Sequence, residues 1–163
     1  TQVYDNYSEV VMKLTTKGRY AIVAMIDIAL FQKKTPISLS EISKRQDISL
    51  SYLEQLFSKL KTKSLVKSVR GPGGGYKLDR EASEITLFEI ITAVDENMDQ
   101  TQCGGAMNCS NDKPCLTHYV WTDLTKQIHD YMKGVSLSDV IVRYDIQNIV
   151  DKRREHGYGN KLT

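Results

Sequence analysis

A chain of 163 residues, 40% hydrophobic and 26% charged, has the size and composition of one globular domain with a modest appendage. The longest apolar run, Tyr20 to Phe31, is broken by Asp27 and is too short to cross a bilayer. Thr1 to Val11 carries acids and polar residues where a secretory leader would have a basic start and an apolar core, so a cytoplasmic protein is expected.

The net charge of +2 conceals an asymmetry. From Lys13 to Leu78 thirteen Lys and Arg face four acids, a balance of +9. From Asp79 to Asp112 eight acids face Arg80 alone, a balance of −7. Two ordinary solvated faces would produce such a division, and so would a nucleic-acid-binding module joined to a second function.

Residues 1–11 show no periodicity and read as an upstream extension or an expression remnant, with Met12 as a natural start. From Thr16 the spacing of Tyr20, Val23, Ala24, Ile28 and Phe31 is helical, with Thr15 or Thr16 as N-cap and Pro36 as a breaker. Ser38 and Glu41 form a capping box for a short helix ending near Gln46. After a brief turn at Asp47 and Ile48, Leu53, Leu56, Phe57 and Leu60 make one stripe of a further helix, and Ser51, Glu54, Gln55 and Ser58 the opposite one. Two short helices across a tight turn, over about residues 39–62, are a helix-turn-helix. Two β-prone runs, Leu65 to Val69 and Tyr76 to Leu78, then flank a Gly/Pro-rich turn. The fold class expected is mainly α with a small β-wing: a winged helix-turn-helix over residues 12–80.

The polar stripe offers groups that reach base edges in a major groove. Gln55 pairs with adenine, Glu54 accepts from cytosine N4, and Ser51 bonds either base type. Close to phosphates a carboxylate repels backbone unless it meets a cytosine donor, so Glu54 should filter sequences. In the turn, Pro72 sets φ and the glycines permit positive φ, so that Arg70 and Gly71 can lead a wing tip into a minor groove. A phosphate-cradling nucleotide loop is excluded there: no Gly-Lys-Ser/Thr follows, and a short strand, not a helix, comes next.

Downstream, Leu87, Ile90, Ile91 and Val94 indicate a fourth helix capped by Thr86 or Glu84. A long amphipathic helix is expected from Leu116 to about Met132, with Val120, Trp121, Leu124, Ile128 and Met132 on one side as a dimer seam. A short helix follows from Ser136, and Asp151 to Thr163 reads as a disordered tail.

Between these helices lies the whole thiol content of the chain, in the pattern C-x5-C-x5-C-x2-H: Cys103, Cys109, Cys115 and His118. Clustered thiols in a reducing compartment indicate metal or redox chemistry more than a disulfide framework. Structural zinc favours closer Cys pairs. Iron–sulfur clusters tolerate wider spacing and accept His in place of Cys. A metal-free thiol sensor is the third reading. Cys115 and His118 are expected to point to one side, whereas His129 and His156 read as surface residues.

Four segments together resemble the Rrf-type winged-helix transcription factors, and among them the iron–sulfur cluster regulators: L-T-T-K-G-R-Y-A from Leu14, I-S-L-S-Y-L-E-Q-L-F-S-K-L from Ile48 to Leu60, V-R-G-P-G-G-G-Y from Val69 to Tyr76, and C-x5-C-x5-C-L-T-H from Cys103 to His118. The resemblance covers about Met12 to Ile141. It implies a homodimer that binds palindromic double-stranded DNA, and a [2Fe-2S] cluster held by Cys103, Cys109, Cys115 and His118. It also implies base reading by Ser51, Glu54 and Gln55, with Arg70 and Gly71 in the minor groove. The function expected is regulation of cluster-biogenesis genes, with no enzymatic activity, small-molecule substrate or membrane association. Residues 81–150 would then hold the cluster loop and the dimerisation helices. The alternatives are a structural-zinc regulator of the same fold and an electron-transfer redox protein.

Overall fold

The computed structural model describes residues 15–155. Its elements are α1 (Thr16–Phe31), α2 (Leu39–Gln46), α3 (Leu50–Thr62), β1 (Val66–Val69), β2 (Gly75–Leu78), α4 (Leu87–Ala93), α5 (His118–Lys133), α6 (Leu137–Arg143) and α7 (Ile146–Glu155). The mainly helical chain with one two-stranded sheet is the expected winged helix-turn-helix.

Local chemistry explains the boundaries. Ser38 caps α2 through a reciprocal capping box with Glu41. Asp47, at φ 54°, ends α2 in the left-handed region that a short polar side chain tolerates. Ser49 then accepts from the Tyr52 N–H and starts α3. The apolar stripe of α3 (Leu53, Leu56, Phe57, Leu60) is buried in one core with Met25, Ile28 and Ile42. Where α2 meets α1, Arg45 Nη2 and Nε donate to Asp27 at 2.7 and 3.0 Å, and Gln46 Nε2 adds a third bond at 2.8 Å.

The wing pairs antiparallel from Val66↔Leu78 to Val69↔Gly75. Ile37 lengthens it on the other edge, exchanging backbone bonds of 2.9 and 2.7 Å with Tyr76. That approach demands glycine at position 75, because a Cβ there would lie 2.4 Å from the Ile37 carbonyl oxygen. Tyr76 packs edge-on against Phe57, with ring centroids 4.9 Å apart, and so joins the wing to α3.

Helices α4 and α6 begin at capping boxes, Thr86 with Glu89 and Ser136 with Asp139. An antiparallel bridge lashes the two starts together: Leu87 N–H donates to Val135 O and Leu137 N–H to Ile85 O, both at 2.9 Å. At the far end of α4, the Glu96 carboxylate accepts from Gly18 N–H at 3.0 Å and from the Thr15 hydroxyl. It thereby caps α1, whose own N-cap residue makes no local side-chain bond.

Two expectations change. The chain is helical through Glu155, so the tail does not become disordered at Asp151. Ile146 and Ile149 give α7 an apolar spacing, and Arg154 lies over the Phe31 ring at 5.6 Å. His129 is half-buried rather than on the surface, edge-on to Phe88 at 5.3 Å. The expected extension 1–11, His156 and the rest of the tail fall outside the described residues.

Candidate metal centre and nucleic-acid interface

The candidate metal-ligating groups converge only in part. Sγ of Cys103, Sγ of Cys109 and a ring nitrogen of His118 lie within 4.8 Å of one another. His118 Nδ1 stands 3.5 Å from Cys103 Sγ and 3.6 Å from Cys109 Sγ. His118 is the first residue of α5 and is only 4% exposed, so its position is set by packing. Cys115 is outside the trio. Its Sγ approaches Thr117 Oγ1 at 3.7 Å, while its backbone N–H donates to Cys109 Sγ at 3.0 Å. Cys115 and His118 line one cavity, as expected, while His118 Nδ1 stands against the two earlier cysteines. Cys115 precedes the helix, so helical i,i+3 geometry does not apply to it.

The loop is held from both sides. Asp99 accepts from the N–H and hydroxyl of Thr101 at 2.8 and 2.7 Å, and Gln100 N–H donates to Thr125 on α5 at 2.9 Å. Trp121 Nε1 donates to Thr117 Oγ1 at 3.1 Å, leaving the Thr117 hydroxyl hydrogen for Cys115. A cavity of about 60 Å³ is lined by Gln102, Cys109, Cys115, Thr117, His118 and Trp121.

Crowding divides the thiols. Burial pushes Cys103 up, but backbone bonds from Met107 and Gly105, helped by Cys109 and His118, outweigh it and bring the thiol down to about 6. The Cys115 N–H draws Cys109 down, yet burial and the neighbouring Cys115 and Cys103 thiols together push it above its ordinary value. Cys115 is lowered, first by its bond with Cys109 and then by Thr117. One thiolate beside an imidazole is a nucleus for a soft metal, and three thiols with one imidazole are a donor set for zinc and for iron–sulfur clusters.

The candidate reading surface lies on α3 and the wing. Ser51, Glu54, Gln55 and Ser58 are exposed along α3, as the stripe required. Ser51 Oγ lies 3.0 Å from Ser49 Oγ, which steadies it at the helix start. Arg70 and Gly71 are exposed at the wing tip, where Gly71 takes φ +102°, a conformation that glycine adopts freely. Position-by-position reading of the sequence overlooked how the two sites connect. Lys59 on α3 pairs with Asp95 at 2.7 Å, one residue before the Glu96 that caps α1 and eight before Cys103. Thr117 and Thr122 beside the thiols were overlooked, and Trp121 was assigned to the dimer seam alone; the i+3 and i+4 spacing of Trp121 and Thr122 from His118 was the available signal.

Comparison with known proteins agrees with the geometry. The family model Rrf2, described as iron-dependent transcriptional regulator, matches residues 14–143. The chain is 54% identical over 148 residues to the candidate HTH-type transcriptional regulator ORF2 of Azotobacter vinelandii, covering 90% of each chain. It is 50% identical over 157 residues to the HTH-type transcriptional regulator IscR of Vibrio atlanticus, covering 93% of this chain and 91% of that one. Among solved structures it is similar to T. potens IscR, with a TM-score of 0.65 and 36% identity over 79% of this chain and 85% of that one. These relatives are transcriptional regulators and not enzymes. Among the described residues no helix is long and apolar enough to cross a membrane. The chain belongs to the Rrf2 family of iron-dependent transcriptional regulators.

Proposed function

We propose that this regulator senses iron–sulfur supply through a [2Fe-2S] cluster held by Cys103, Cys109, Cys115 and His118, and controls cluster-biogenesis genes. One observation carries the reading. The thiols and imidazole gather at the start of α5 on a loop tied, through residues 95 and 96, to both α1 and the reading helix α3. When bound, the cluster would supply a charge- and iron-dependent crosslink among these four side chains. The protein would act as a homodimer on palindromic double-stranded DNA, with Ser51, Glu54 and Gln55 at base edges and Arg70 and Gly71 in the minor groove.

Structural zinc is the second reading, and it too draws on an observation. Separations of 3.5 and 3.6 Å match the roughly 3.5 Å between a thiolate and an imidazole on one tetrahedral ion. Anaerobic purification, with a visible spectrum and analysis for iron, sulfide and zinc, separates the two. Coloured protein with equal iron and sulfide is expected; colourless protein with stoichiometric zinc refutes the cluster. Loaded and cluster-free protein should then differ in affinity across a panel of operator sequences, and identical profiles would refute sensing.

A further inference from the structure

We propose that Thr122 is a positioning residue for the metal centre: its hydroxyl fixes the His118 imidazole as the Nε2–H tautomer, so that Nδ1 is the atom offered to the metal. This rests on the metal-centre reading above and adds the ligand atom and the residue that selects it.

A threonine hydroxyl has a single hydrogen. Thr122 Oγ1 lies 2.9 Å from the His118 carbonyl oxygen, the back-bond to the preceding turn, and 3.4 Å from His118 Nε2. A carbonyl oxygen cannot donate, so the shorter contact takes the hydroxyl hydrogen. Only lone pairs then face Nε2, and the imidazole satisfies them by carrying its proton there. Nδ1 is left bare on the side where both cysteines stand, at 3.5 and 3.6 Å, and the Cys109 thiol, which keeps its proton, can donate to it.

The opposite tautomer leaves Nε2 without a donor unless Thr122 abandons the carbonyl. Tyr119 stands edge-on to the ring with centroids 5.3 Å apart, which opposes a ring flip. A partner that accepts from the outer N–H also raises the donor strength of the inner nitrogen.

The test uses the full chain labelled with 15N-histidine. In long-range 15N–1H spectra of the metal-free protein, His118, identified by its loss in His118→Ala, should show bare Nδ1 and protonated Nε2. Thr122→Ser should keep that pattern and Thr122→Val should mix the tautomers. An Nδ1–H pattern in the wild type, or no change in Thr122→Val, would overturn the assignment. After anaerobic reconstitution with ferrous iron and sulfide, Thr122→Val should lose visible absorbance to a chelator about 10-fold faster than the wild type or Thr122→Ser, the low end for loss of a ligand's partner. Equal rates in all three would overturn the positioning role. A wild type that takes up no iron would instead overturn the metal-centre reading, and the ligand role with it, whatever the tautomer spectra show.

Discussion

Two carboxylates show how residue placement sets chemistry. Glu54 is exposed on α3, with no bond to any other described residue, so it is free to meet a base. Glu54→Ala is expected to bring preferred and non-preferred operators closer in affinity, by about 1–3 kcal/mol per cytosine read. Arg70→Ala should weaken operator binding and lower the salt slope by about 1, both measured by fluorescence anisotropy across salt. Glu96 is the buried counterpart. Burial pushes its carboxyl up, but the Thr15 hydroxyl and backbone bonds from Gly18 and Thr15 outweigh that and hold it below its ordinary 4.5. A depressed folded value means that its stabilisation is present above about pH 4.5 and is lost as the pH falls through the folded value. Glu96→Gln is therefore expected to cost about 1 kcal/mol near neutrality, the scale of a lost N-cap. The cost should shrink on acidification, and parallel denaturation curves at pH 7 and pH 4 would show it. A pH-independent difference would rule out the charge as its source.

Among the elements, those announced by local chemistry were legible in the sequence, and those made by tertiary contacts were not. Three capping boxes and the stripe of α3 lie within a few residues, so sequence reading located α2, α3, α4 and α6 closely. The capping of α1 was not legible, because Glu96 reaches it from across the molecule. The loop thiols were visible as a set, but the absence of Cys115 from the trio follows from Thr117 and the loop's own turns. Asp27 looked like a flaw in an apolar helix; it is the fully buried anchor of α2. Removing one member of such a pair strands a charge, so Arg45→Met should cost about 3 kcal/mol, read as a lowered Tm. Arg45→Met combined with Asp27→Leu should recover most of the loss, since a buried pair is often replaceable by apolar packing. Additive losses in the double variant would show that the ion pair is not the term at issue.

For the molecule as a whole, the apolar stripe of α5 divides. Met132 packs on the chain's own core and Leu124 and Ile128 are half-buried, whereas Val120 is 57% exposed. With Leu116 and Tyr119, this end of α5 presents an apolar face beside the thiols, which suits the proposed second copy. Val120→Glu is expected to shift sedimentation from dimer to monomer and to weaken operator binding; an unchanged sedimentation coefficient would place the seam elsewhere. The bridge between the starts of α4 and α6 has a different consequence. It fastens the chain at Thr86 and again at Ser136, so the cysteine loop between α4 and α5 is a detour within a segment sewn shut at both ends. Such a detour can rearrange around an arriving or departing metal while the closure entropy stays settled at the seam. In hydrogen exchange, the amides of Leu87 and Leu137 should stay protected as long as the winged core does, while those from Gly104 to Lys113 exchange early.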